Sequence, residues 1–457
     1  MKNVFAIFCI LIFFAACKKS SFLDARPDQS LVVPSSLADL QALLDNDRIM
    51  NGTNGLGVTP SLGEAACTDY YINEDDLYGF LSPLESNAYT WQQQVFNGEH
   101  ILDWNLPYKV IFYANTALEG LSNIPVDNSN QTAWNNVKGS ALFYRAFMFW
   151  QLAQIFAPPY DSATAETDWG IPLRMKSDIN EAIQRATVAA TYQQIINDLT
   201  EALPLLPDIP LYATRPSKAA VHAMLAKVYM IMHNYTAAME HADACLQLQS
   251  ALIDYNTVDT TVAFPFTELN EETIFYSTAI YYTITVPNYA AVDTTLYNIY
   301  GENDLRKKVF FSELSPGIRT FSGSYGKYAL FSGIAADEMI LTRAECYARI
   351  GNTEAALNDL NSLLAKRYRT GTFIPYTATT ATEALLLILK ERRKELVMRG
   401  VRWTDLRRLN KEGIYTTELS RTVNAVTYSL PPNDPRYTYP IPDEVISFNP
   451  DMPQNSR

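Results

Sequence analysis

Apolar residues recur at three- and four-residue spacing over 37–44, 108–121, 133–156, 192–203, 217–233, 235–249, 337–350, 353–369 and 382–398, which predicts an amphipathic helix for each stretch. Several carry start signals: Ser217 follows Pro216, Thr353 follows Gly351, and Thr382 precedes Glu383. Strand signals are few and local, so the chain reads as mainly α. Two long stretches between the helices differ in character. Residues 51–96 hold Gly52, Gly55, Gly57 and Gly63, then Asp69, Tyr70, Tyr71, Tyr78, Phe80, Tyr89 and Trp91. Residues 257–330 hold Tyr276, Tyr281, Tyr282, Tyr289, Tyr297, Tyr300 and Tyr325, with β-rich runs such as TIFYSTAIYYTITV. Loops of this length in a compact protein are usually functional or disordered. Their aromatic content argues against disorder.

Two helix pairs are similar to each other. AKVYMIMHNYTAAMEHA (226–242) aligns with AECYARIGNTEAALNDL (344–360) at an offset of 118, matching Ala226 to Ala344, Tyr229 to Tyr347 and Asn234 to Asn352. Small residues at the crossing and a tight turn between helices are what a tetratricopeptide-like hairpin needs. The offset is not a tandem period of about 34 residues. The repeats are therefore dispersed, with insertions between them.

The chain begins Met1-Lys2-Asn3, and residues 4–16 form an uncharged apolar run of 13 residues ending at Ala15-Ala16-Cys17. Such a run is too short to span a bilayer as a helix and fits a secretory signal. Small residues directly before a cysteine resemble the lipobox of bacterial lipoproteins, with Phe14 where Leu is usual. The resemblance implies cleavage after residue 16 and lipid on Cys17, where stable anchoring takes more than one acyl chain, palmitate among them.

Composition narrows the class further. At roughly 150 residues per domain, 457 residues allow about three domains or one large one. With 48% apolar and 19% charged residues, disorder, collagen and multi-span membrane protein are poor readings. The net charge of −13 opposes a phosphate backbone, which excludes nucleic acid as the expected partner. Cys67, Cys245 and Cys346, the thiols left after Cys9 and Cys17, make no disulfide framework, and the last two lie in helical patterns as small core residues. No HExxH, G-x-S-x-G or phosphate-loop motif occurs, and His100, His222, His233 and His241 include no pair at three or four residues. No catalytic residues, metal ligands or cofactors are therefore expected. A two-carboxylate glycosidase stays open, because that pair has no sequence signature.

FLDARP (22–27), WNLPYKVIFYAN (104–115), GSALFYRAFMFWQLAQIFAPPY (139–160), EMILTRAECYARIGNTEAALNDLNSLLAKR (338–367), ERRKELVMRGVRWTDLRR (391–408) and YPIPDEVISFNPDMPQN (439–455) resemble, in this order, the blocks of the SusD/RagB family of outer-membrane lipoproteins. The resemblance implies a mainly α, SusD-like fold in which tetratricopeptide-like hairpins pack against an irregular, loop-rich region with few short strands. It implies a signal over 1–16 and one domain over 17–457, with an N-terminal part over about 22–220 and a C-terminal part over about 257–457. It implies a non-enzymatic lipoprotein facing the cell exterior that captures glycan for a SusC-like TonB-dependent transporter. A peptide-binding RagB-like component and a transporter-docking lid without its own ligand are the alternatives. Two departures stand out: Arg399 precedes Gly400 where the family usually carries an acidic residue, and Lys18-Lys19 follow the cysteine where acidic residues are often found.

Within the ERR block, Glu391 and Glu395 share a helical face and Arg402 and Asp405 follow a turn at Gly400, which suits paired internal charges. Tyr144, Arg145 and Trp150 sit on a predicted helix as core. Glycan sites combine exposed aromatic rings with hydrogen-bonding side chains. Asp69, Tyr70, Tyr71, Asn73, Tyr78 and Trp91 form one such group, and Tyr281, Tyr282, Asn288 and Tyr289 a second.

Overall fold

A computed structural model describes residues 34–457, except 54, 74–76, 78, 287, 288 and 414. The signal, Cys17, Tyr78 and Asn288 lie outside the described residues. Helices take 47% of the residues, as the apolar spacing predicts. They run as α1 (Leu37–Leu44), the short α2 (Leu62–Ala66) and α3 (Pro83–Tyr89), then α4 (Leu102–Leu121), α5 (Gln131–Phe156) and α6 (Val188–Ala202). The second half carries α7 (Lys218–Ile231), α8 (Tyr235–Leu248), α9 (Ala336–Arg349), α10 (Thr353–Ala365), α11 (Ala381–Glu395) and α12 (Arg402–Leu409).

Beyond Val137, α5 is buried on nearly every side and forms the spine of the core. Phe143 and Phe147 on it receive Phe275 edge-on at 4.8 and 5.2 Å. Arg145 forks onto Asp198 of α6 through two 2.7 Å bonds and donates to Asn115 of α4 at 3.0 Å, so one guanidinium fixes three helices. That geometry satisfies the buried charge on both sides.

The two sequence repeats fold as the hairpins α7–α8 and α9–α10. Their turns match atom for atom: Asn234 and Asn352 donate their N–H to Tyr229 and Tyr347 O (2.9 and 2.8 Å), and each asparagine side chain caps the next helix. The residue before each asparagine is left-handed, Gly351 at φ +87° and His233 at φ +60°. Glycine meets that requirement without a steric cost that histidine bears. Although 118 residues apart in sequence, the hairpins touch through α8 and α9, and everything from 249 to 335 loops out between them. Cys245 and Cys346 are buried on these helices as free thiols.

The ERR block is internal, as its charge pattern predicts. Asp405 accepts from Arg392 and Arg408 at 2.8 and 2.9 Å, and Glu391 and Glu395 both reach Arg306. Arg399 finds its own carboxylate, Asp337 at 3.2 Å, and lies over the rings of Tyr325 and Phe331. Several helix limits differ from the sequence reading, among them the start of α6 at Val188 and not at 192. α4 starts at Leu102, not at 108, and carries Pro107 in its second turn at the loss of the one backbone hydrogen bond that residue would have made to Asp103 O. α10 stops at Ala365, four residues early, and α11 is capped by Thr380 in a capping box with Glu383.

Among the described residues, strands pair only as two-stranded antiparallel ribbons: β1 (Tyr70–Ile72) with β5 (Ala290–Val292), β2 (Trp169–Pro172) with β3 (Arg185–Thr187), β4 (Thr273–Phe275) with β8 (Ile334–Ala335), β6 (Phe311–Ser315) with β7 (Ile318–Phe321), and β9 (Leu419–Val423) with β10 (Val426–Leu430). Most of these ribbons stitch the long loops to each other or to the ends of helices.

Candidate ligand-binding site

The two aromatic stretches, separated by about two hundred residues, are zipped together. Val58 donates its N–H to Thr278 O, Ile280 to Thr59 O and Tyr281 to Leu56 O, at 2.8–3.0 Å. Gly57, at φ +72°, lies so close to this edge that an added Cβ would fall 1.9 Å from Ala279 O. Only glycine permits that approach. Further along, β1 pairs with β5 in the register Tyr70 with Val292, Tyr71 with Ala291 and Ile72 with Ala290.

Side chains alternate along a strand, so neighbouring tyrosines part company here. Tyr70 points inward and donates its hydroxyl to Ala65 O at 2.8 Å, while Tyr71 is exposed. The ladder ends at Ile72 and Ala290: the exposed Asn73 follows β1, and Tyr289, just before β5, turns its N–H to Val286 O at 3.0 Å. Tyr289 in turn meets the exposed Phe80, with ring centroids 6.0 Å apart. Because β1 and β5 are antiparallel, Tyr71, Asn73 and the Phe80–Tyr289 pair lie at one end of this ribbon and form an aromatic ledge, and the exposed Tyr281 and Leu56 extend the same joined loops.

Four of the site residues expected from sequence are not on the surface. Asp69, Tyr70, Trp91 and Tyr282 are buried, because each meets an internal partner that fixes the ledge from behind. Asp69 accepts from Arg393 at 2.8 Å, and its backbone oxygen takes the Asp293 N–H at the end of β5. Trp91 donates Nε1 to Ala66 O at 3.0 Å beneath the Arg421 guanidinium, which also covers Tyr89 at 3.7 Å. Tyr282 donates to Asp103 at 2.6 Å, and the other oxygen of Asp103 accepts the N–H groups of Ser61 and Leu62 at 2.7 and 2.8 Å. Phe80 was outside the expected set. Its signal is the capping box that follows, Ser82 with Glu85, which starts α3 at Pro83 and leaves Phe80 in the loop. The second oxygen of Glu85 accepts the Ile284 N–H at 3.0 Å and ties α3 to the other stretch.

Two buried carboxyls under the ledge hold protons more tightly than usual. Burial, reinforced by Asp69, pushes Glu64 up to about 8, and burial pushes Asp103 up to about 6. A carboxyl with a raised folded pKa costs stability as pH climbs from its unfolded value toward its folded one. Glu64→Gln is therefore expected to be more stable than the parent by about 1–3 kcal/mol at pH 8, each pKa unit being about 1.4 kcal/mol. The gain should shrink toward zero at pH 5, measured by urea unfolding at both pH values. A gain that is equal at both would show that Glu64 is ionised in the fold.

Among the described residues no three His, Cys, Asp or Glu side chains converge as a metal site. What the ledge offers is flat apolar ring surface beside amide and hydroxyl groups, which is binding chemistry.

A stack of helical hairpins that carries an aromatic ledge on inserted loops is the build of a scaffolded ligand-binding protein. Residues 21–230 match a SusD-like family model described as starch-binding, associating with the outer membrane, and residues 336–457 match the SusD family model. Together the matches span nearly three quarters of the chain, and the protein belongs to the SusD family. A SusD-like protein P2 of Formosa agariphila is 32% identical over 148 residues, which is 32% of this chain and only 27% of that relative. A SusD superfamily protein of Bacteroides thetaiotaomicron superposes with a TM-score of 0.74 at 21% identity, over 92% of this chain and all of the other. A laminarin-binding SusD-like protein gives 0.64 at 19% identity, over 92% of this chain and 98% of the other. These structures share the fold. No described helix is long and apolar enough to cross a membrane.

Proposed function

We propose that the protein is a cell-surface glycan-binding lipoprotein that captures oligo- or polysaccharide and passes it to a SusC-like TonB-dependent transporter. The observation that carries this reading is the β1–β5 pairing, which gathers Tyr71, Phe80 and Tyr289 beside Asn73 on one exposed ledge. Sugars present flat C–H faces that stack on such rings and hydroxyls that need polar partners. Membership of a family whose model is described as starch-binding, and likeness to a laminarin-binding protein, support the ligand class. In this reading residues 1–16 are removed, Cys17 carries the lipid in the outer membrane, and 17–457 act as one domain with the ledge outward. Catalysis has no part in it.

Retardation in native gels cast with laminarin, starch and other neutral and acidic polysaccharides tests the proposal. At least one polysaccharide is expected to slow the protein, without release of reducing ends. Failure against the whole panel, with capture of oligopeptides instead, would replace glycan by peptide. Release of reducing ends by the isolated protein would make it an enzyme.

A further inference from the structure

We propose a second saccharide site, separate from the ledge, in a cleft of about 350 Å³ between Pro158, Trp169, Lys411, Asn433 and Gln454. Its assignment to sugar rests on the glycan reading above for the ligand class, but none of its residues belongs to the ledge. Trp169 opens β2 at the mouth of the cleft and is 46% exposed, whereas the three residues after it in the strand are buried. A tryptophan left half in water at the lip of a polar cleft is a stacking surface without a ring of its own to stack on.

The groups around it suit hydroxyls. Asp168 and Lys411 bring one charge of each sign, already partnered by Thr164 at 2.6 Å and Asp161 at 3.3 Å, while Asn433 donates to Asn410 O at 2.8 Å and the Gln454 amide is taken up by the Ile441 and Asn455 backbone, so the floor of the cleft carries the hydrogen-bonding case. Asp434, on the far wall, is already held by Arg436 through two 2.9 Å bonds. Arg407 in the floor is 3% exposed, with its two terminal nitrogens turned to Gln154 and Ala157 carbonyls. Its Nε has no acceptor, and Asn410 beside it nears the Tyr437 hydroxyl without making a well-formed hydrogen bond. Buried donors without acceptors are rare and mark a place where an acceptor arrives, whether a ligand oxygen or a water it holds in place. With no excess of positive charge, the cleft favours a neutral sugar over a uronic acid or sulfate.

The volume lies at the small end of ligand pockets, which run about 300–1,000 Å³, so one or two sugar units fit. Across the Asp434–Pro435 turn a second recess of about 530 Å³ opens between Gln92, Gln93 and Arg436. A glycan chain has room to continue there.

Calorimetric titration of the full chain with laminarihexaose and maltoheptaose tests this, using Trp169→Ala, Trp169→Phe, the ledge variant Tyr71→Ala/Tyr289→Ala, and that variant combined with Trp169→Ala. The ledge variant is expected to keep a weaker saturable site for one of them. Adding Trp169→Ala should weaken that site by about tenfold or more, while Trp169→Phe, which keeps a ring, stays within about threefold of the parent. Residual binding in the ledge variant that ignores Trp169→Ala overturns the cleft, and so does a ledge variant that binds nothing when the parent binds. If instead Trp169→Ala removes all binding and the ledge variant matches the parent, the cleft stands and the ledge falls. A parent that binds neither oligosaccharide sinks both. Far-UV circular dichroism of each variant separates a lost site from a lost fold.

Discussion

Arg306→Ala is expected to cost about 3–5 kcal/mol of stability, the range for breaking a buried ion pair by removing one partner. Arg306 is fully buried and forks onto Asp304 at 2.7 and 2.8 Å, then reaches Glu391 at 2.6 Å and Glu395 at 2.9 Å. Lys394 bridges Asp304 and Glu391 at 2.8 and 2.9 Å, and Arg367 joins Glu395 to Glu272. Without the Arg306 guanidinium, three carboxylates face one another in a dry space with Lys394 and Arg367 to neutralise them. Arg306→Lys keeps the charge but loses the fork, so it should fall between the alanine variant and the parent. Urea unfolding followed by circular dichroism reads both. A loss below about 1 kcal/mol for Arg306→Ala would mean that water enters the network, since exposed pairs are worth no more than that.

Removing two rings from the ledge should have the largest effect on binding. Aromatic stacking is worth about 1 kcal/mol per ring beyond burial, so Tyr71→Ala with Tyr289→Ala is expected to weaken glycan binding by about 30-fold at about 1.4 kcal/mol per tenfold. Tyr289 also meets Phe80, and its loss leaves that ring unsupported. Neither substitution touches the core, because Tyr71 is exposed and the buried contacts of the ribbon belong to Tyr70 and Ile72. Affinity electrophoresis of the double variant beside the parent, with thermal melts of both, separates the two effects. A parent-like mobility shift in the double variant would remove the ledge from ligand binding.

The helices were legible because apolar spacing is local, and so was the hairpin repeat, down to Tyr229 and Tyr347 and the asparagines that cap the next helix. The limits that moved did so for reasons beyond periodicity. Pro107 reads as a barrier but sits inside α4, and the chain after Ala365 leaves the helix so that Arg367 can enter the charge network. Of the site, the two aromatic stretches were legible and their union was not. A pairing across some two hundred residues leaves no local trace in composition. Nor does composition tell Tyr70 from Tyr71, or Tyr281 from Tyr282. In each pair one ring turns inward to a backbone carbonyl or to Asp103 and its neighbour turns out, a distinction that appears only once the strand and its partner are placed.

The looped-out segment between α8 and α9 leaves and re-enters the scaffold at two helices that touch. Its ends are held close whatever lies between them, and closure entropy grows only slowly with loop length. The segment is therefore an exchangeable cassette. Its exposed parts can drift, lengthen or be grafted from a relative while the hairpins stay intact, provided that Glu272, Phe275, Tyr282, Asp304 and Arg306 travel with it to meet Arg367, the α5 phenylalanines, Asp103, Glu391 and Glu395. One scaffold could in this way present ledges of different shape to different ligands.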